Sequence, residues 1–205
     1  MFSVLFPGQG SQSVGMAKDL YDNFSYVKDF FDEADDVLKF SIKKIIFEGP
    51  KDLLNYTENT QPGIFLVSYA IFNVIKKETS FDITKASFFA GHSLGEYSAL
   101  ACSNSIDFKE TIRLLKVRGN AMQNAVPKNE GGMVAVLGSK VDVIENILIE
   151  NKENFKAQIA NDNSEGQIVL SGKTEDLERL IEILKNNPYF LYFCQNSYHH
   201  KYQIV

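Results

Sequence analysis

Residues 2–6 open the chain as an apolar run of strand length. It ends in Pro7-Gly8-Gln9-Gly10-Ser11-Gln12, a loop whose glycines let backbone N–H groups come close to a ligand. Over residues 16–40 the rhythm becomes helical, with Leu20, Phe24, Val27 and Phe31 recurring at spacings of three and four. Thr60-Gln61-Pro62 reads as an N-cap followed by an early-turn proline. It predicts a helix that carries Ile64, Val67, Ser68, Ile71 and Ile75. Residues 86–90 form a second short apolar strand, which runs directly into Gly91-His92-Ser93-Leu94-Gly95 and then into the helix-prone residues 96–101.

Beyond that point the pattern changes. Strands are predicted over 133–137, 157–160, 167–170 and 189–193, with helices over 141–149 and 175–184. The order β-α-β-β-α-β is that of a ferredoxin-like unit. The loop Pro127-Lys128-Asn129-Glu130-Gly131-Gly132 reads as the junction before it.

The 205 residues, 44% hydrophobic and 23% charged, suffice for one core or a core plus a small subdomain, and exclude a disordered or collagenous chain. With 21 Lys and Arg against 26 Asp and Glu the net charge is −5. No basic surface is then expected to neutralise phosphate backbones, so nucleic acid is not an expected partner. Cys102 and Cys194 lack the spacing of a metal pair and the number of a disulfide framework, and read as small core residues in a reducing compartment. The N-terminal run lacks the basic and long apolar regions of a signal peptide, and no apolar stretch approaches the ~18 residues of a membrane span. A soluble, cytoplasmic protein without a membrane partner is expected.

The chemistry concentrates at Gly91-His92-Ser93-Leu94-Gly95, a G-x-S-x-G pattern with a predicted strand before it and a helix after it. That context suits a nucleophile elbow, in which a tight turn raises a serine hydroxyl at a helix N-terminus. The Leu94 N–H would face negative charge developing on a carbonyl oxygen, and the loop around Gln9 is a candidate for the second donor. Serine needs a base, and the chain holds three histidines. His92 precedes the serine directly, and neighbouring side chains on extended backbone point apart. His199 and His200 remain as candidates.

At this stage four stretches carry a resemblance: residues 6–12 (FPGQGSQ), Thr60-Gln61-Pro62, residues 91–100 (GHSLGEYSAL) and residues 117–123 (VRGNAMQ). In this order, over nearly the whole chain, they resemble malonyl-CoA:acyl carrier protein transacylases and the related acyltransferase domains of polyketide synthases. The resemblance implies an α/β-hydrolase-like core with a parallel sheet, over 1–127 and 196–205, and a ferredoxin-like subdomain over 128–195. It implies Ser93 as nucleophile and Gln9 and Leu94 as the oxyanion hole. Arg118 is implied as the partner of the malonyl carboxylate, with Gln61 and His92 also at the substrate. Gln61 reads equally well as a structural cap. Setting Tyr198-His199 against the family's aromatic-histidine pair favours His199 over His200 as the base, although His200, Lys201 and Gln203 depart from the usual residues. The expected reaction is transfer of malonyl from coenzyme A to an acyl carrier protein through a serine ester, with no cofactor. A thioester hydrolase and a non-catalytic carrier-binding module stay open as alternatives. The family continues past its histidine, so the core within these residues is expected to leave a strand edge uncovered.

Overall fold

The computed structural model describes residues 1–125, 130–185, 190–195 and 203–204, the last two stretches as backbone. The chain is α/β and divides into two compact units, Met1–Asn124 and Ala125–Val205.

In the first unit β1 (Ser3–Phe6) pairs in parallel with β2 (Phe88–Gly91), in the register Ser3 to Phe88 and Phe6 to Gly91. Between them lie α1 (Lys18–Asn23), α2 (Ser25–Leu38), α3 (Ile42–Glu48), α4 (Lys51–Asn55) and α5 (Thr57–Glu78). After β2 come α6 (Leu94–Cys102) and α7 (Phe108–Asn124). The helices bury one shared cluster, with Val27, Phe31, Ile46, Phe65, Leu66, Ile112 and Leu115 within it. Each such side chain fully removed from water contributes about 1.5–3 kcal/mol. On α7 the buried positions Phe108, Thr111, Ile112, Leu115 and Gly119 follow the helical period. The helix starts where the Asp107 carboxylate accepts from the N–H groups of Lys109, at 2.9 Å, and Glu110, at 3.2 Å.

Two sequence expectations need correction here. The helical stretch over 16–40 is broken, because Phe24 is extended (φ −123°, ψ 117°) between α1 and α2. Thr60 is not an N-cap. The helix begins at Thr57, after an extended Tyr56, and the Thr60 hydroxyl donates backwards to the carbonyls of Leu54 at 2.6 Å and Tyr56 at 3.1 Å. Pro62 therefore sits inside α5, where it deprives only the Glu58 carbonyl of a helical donor.

The second unit orders its strands β4-β5-β3-β6-β7, all antiparallel. They are β3 (Gly131–Leu137), β4 (Ala157–Ser164), β5 (Gln167–Lys173), β6 (Phe190–Gln195) and β7 (Gln203–Ile204). Helices α8 (Val141–Glu150) and α9 (Thr174–Lys185) close over Val134, Val136, Ile168 and Leu170, alternate positions of β3 and β5. All six predicted elements are present, and β4 and β5 run further than predicted. Of the tail 196–205 only Gln203–Ile204 is described, and it pairs with β6 in this sheet.

Candidate active site

The turn between β2 and α6 holds Ser93 at φ 56°, ψ −114°, a conformation rarely adopted by residues with a β-carbon. The glycines around it leave little choice. A β-carbon on Gly95 would collide with the Phe6 carbonyl and lie 2.8 Å from that of Pro7, while one on Gly91 would collide with the Gly95 carbonyl. The turn is thereby pressed against the end of β1, where the His92 N–H donates to Phe6 O at 3.2 Å. Ser93 occupies the N-cap of α6, yet its side chain makes no capping bond, so the hydroxyl is left for other partners. The Leu94 N–H, at the first helical position, has no intrahelical acceptor. It lies at the positive end of α6.

The partner the Ser93 hydroxyl meets comes from α7. The Arg118 Nη2 donates to Ser93 Oγ at 3.1 Å, and Nη1 donates to Gln61 Oε1 at 2.7 Å. A guanidinium only donates, so the serine oxygen is the acceptor and its own proton is free to go elsewhere. Gly119 explains how Arg118 comes so near, since α7 packs directly on the first turn of α5. A β-carbon on Gly119 would stand 2.6 Å from Glu58 Cα. Beside it Lys116 pairs with Glu58 at 3.0 Å. Gln61 is fully buried, and its amide nitrogen donates to Met122 Sδ at 3.1 Å. It therefore braces Arg118 from within α5 and does not cap that helix.

The loop after β1 is tied to the same helix start. Gln9 Nε2 donates to Thr57 Oγ1 at 3.3 Å, and Gln12 links the Gly10 N–H, at 2.8 Å, to Asn55 Oδ1, at 2.9 Å. His92 lies against this loop, for a β-carbon on Gly8 would be 2.7 Å from His92 Nδ1. The structure thus brings together Ser93, Arg118 and Gln61 by direct bonds, and places Gln9 and His92 on the adjoining loop and turn. His199 and His200 lie outside the described residues. Sequence reasoning missed Thr57, Met122 and Tyr97, whose ring faces the Arg118 guanidinium at 5.9 Å. Helical spacing holds a signal for the first two, since Thr57 with Gln61 and Arg118 with Met122 are each four residues apart on one face.

Cys102 is buried with Phe6, Phe72, Ile83 and Ala99, and burial pushes its thiol up to about 12. It is a core residue, as expected, and not a second nucleophile. Among the described residues no three His, Cys, Asp or Glu side chains gather as metal ligands do. None of the described helices is long and apolar enough to cross a membrane.

Comparison with known proteins adds a family to this geometry. Residues 4–204 match the model of the acyl transferase domain. The malonyl CoA-acyl carrier protein transacylase of Haemophilus influenzae is 40% identical over 184 residues, which cover 90% of this chain and 58% of that protein. The crystal structure of an acyl-carrier-protein-S-malonyltransferase from Bartonella henselae superposes with a TM-score of 0.89 at 41% identity, over 97% of this chain and 64% of that one. A malonyl-transacylase solved in complex with its type II polyketide synthase acyl-carrier protein gives a TM-score of 0.83 at 40% identity, covering 92% of this chain and 60% of that one. The chain spans a little under two thirds of the length of these relatives.

Proposed function

Because this chain belongs to the acyl transferase domain family, we propose that it moves a malonyl group from coenzyme A to the phosphopantetheine thiol of an acyl carrier protein, through an ester on Ser93. The observation that carries this reading is the Arg118 guanidinium 3.1 Å from the Ser93 oxygen. In malonyl the free carboxylate is one methylene from the carbonyl under attack. A cationic fork beside the nucleophile suits that acyl group and gives an acetyl group nothing to pair with.

In this reaction Ser93 attacks the thioester carbonyl while its proton passes to the base, the role the family resemblance gives His199. The oxyanion that forms lies at the N-terminus of α6, between the N–H groups of Leu94 and Gln9. Collapse breaks the carbon–sulfur bond, and coenzyme A leaves as a thiol that takes the proton back from the imidazole. Arg118, braced by Gln61, then holds the carboxylate of the malonyl ester, with His92 bordering the acyl group. The carrier thiol repeats the attack on the ester. Exclusion of water from the ester separates transfer from hydrolysis. The relative solved with its carrier protein supports that choice of partner.

The finer fold reading belongs to the same proposal. Residues 128–195 form a ferredoxin-like subdomain, which the order β4-β5-β3-β6 supports, and 1–127 belong to an α/β-hydrolase-like core, which the parallel β1–β2 pair and the elbow support, whereas Gln203–Ile204, expected in that core, pair with β6 instead. The site of action is the cytoplasm.

Radiolabelled malonyl-CoA, mixed with the chain in the presence and absence of acyl carrier protein, tests the function. Label on Ser93 that passes to the carrier is the expected result. Release of free malonate would mean a hydrolase, and the absence of any serine ester would mean a binding module.

A further inference from the structure

We propose that Met122 is a positioning residue: its sulfur pairs the buried nitrogen of the Gln61 amide and so, together with Arg118, locks the orientation in which that amide holds the guanidinium that the acyl carboxylate meets. The inference rests on the acyltransferase reading above. The Gln61 side chain is fully buried, so both ends of its amide need partners within the protein. Arg118 offers only donors, and its 2.7 Å bond is therefore made to the amide oxygen. That choice turns the amide nitrogen away from the guanidinium, and the acceptor it meets is Met122 Sδ at 3.1 Å.

Arg118 and Met122 are one helical turn apart on α7, so a single face of that helix grips the amide at both ends. Rotating the amide by half a turn would set its NH2 against the guanidinium, donor against donor, and its oxygen against a sulfur with no proton to give. The thioether is a weak acceptor, but here it discriminates between these two orientations. Met122 is 49% exposed, so replacing it with leucine opens no cavity and removes mainly the acceptor.

Rates of Ser93 ester formation with malonyl-CoA and acetyl-CoA test this in the wild-type chain, Met122→Leu and Met122→Gln, with thermal unfolding recorded for each. Glutamine returns an acceptor oxygen at similar reach. Met122→Leu is expected to raise the KM for malonyl-CoA about fivefold, the cost of one weakly bonded buried donor, and to lower the malonyl-to-acetyl ratio by the same factor. Met122→Gln is expected to keep the wild-type ratio. An unchanged ratio in Met122→Leu overturns the proposal, as does an equal loss in Met122→Gln, which would make side-chain shape the cause. A wild-type chain that forms no malonyl ester overturns the acyltransferase reading itself, and that result is distinct because it needs no substitution.

Discussion

Gly119→Ala puts the packing that positions Arg118 to a quantitative test. The added β-carbon would stand 2.6 Å from Glu58 Cα and 2.9 Å from the Thr57 carbonyl oxygen. Carbon atoms in contact rest about 3.5–4.0 Å apart, so α7 and α5 must separate by roughly 1 Å. Both atoms met are backbone, in a helix start already tied to the Gln9 loop and to Lys116, and neither can swing aside as a side-chain end would. Two effects then compete. Alanine gains about 1 kcal/mol of helix propensity over glycine. Overpacking costs about 1–3 kcal/mol, so the net change lies between neutral and ~2 kcal/mol of destabilisation. The effect on chemistry is larger, because the same movement draws Arg118 away from Gln61, now at 2.7 Å, and from Ser93, now at 3.1 Å. A misplacement of roughly 1 Å lowers kcat/KM for malonyl ester formation on the order of 100-fold. Urea denaturation reads the stability and single-turnover labelling reads the rate. A variant that labels at the wild-type rate and gains the full propensity increment would refute the packing argument.

Three further predictions concern the site and the core. Arg118→Lys keeps the charge but loses the planar pair of donors, and should lower the malonyl-to-acetyl loading ratio at least about tenfold; an unchanged ratio in a competition assay would remove Arg118 from the carboxylate. Ser93→Ala and Ser93→Gly should both abolish the ester, with the glycine variant more stable to urea by roughly 1 kcal/mol or more, because φ 56° suits a residue without a β-carbon. Equal stability would mean the turn stores no strain. Cys102 has its thiol raised from an ordinary 9.0 to about 12, so the folded state binds the proton more tightly than the unfolded chain does. Its contribution to stability is complete below about pH 9 and is lost as the pH rises from there through about 12. At about pH 8 the native Cys102 peptide should resist iodoacetamide and react once the chain is unfolded in urea; mass spectrometry showing equal labelling in both states would contradict this.

The elements legible from hydropathy were those whose burial is one-sided and apolar. Val134 and Val136, or Leu177, Leu180, Ile181 and Leu184, alternate or recur with the period of the element that carries them. The break at Phe24 escaped the same reasoning, because Leu20, Phe24, Val27 and Phe31 all pack into one cluster across it. Periodicity reports which side chains are buried and not where the backbone hydrogen bonds are interrupted. The elbow was legible because its requirement is local, two glycines around a serine between a strand and a helix. The bond from Arg118 to Gln61 was not, since it joins residues 57 apart in sequence and depends on the close passage of two helices at Gly119.

The start of α5 was misread for a related physical reason. Asn55, Thr57, Asn59, Thr60 and Gln61 are all buried, a run of polar side chains that hydropathy assigns to the surface. Each left unpaired would cost about 1–3 kcal/mol, so their burial is sustained only by the bonds they make. Asn59 and Thr60 spend theirs locally, on the carbonyls of Leu53 and Leu54. Asn55, Thr57 and Gln61 spend theirs on Gln12, Gln9 and Arg118. Those three partners lie on the two segments that the proposed reaction must hold still, the loop of Gln9 and Gln12 and the helix that presents the guanidinium. Polar burial at this helix start therefore does more than stabilise the fold. In the proposed reaction it would set one rigid reference for both the Gln9 loop and the Arg118 guanidinium, on either side of a serine whose own turn is fixed by backbone contact.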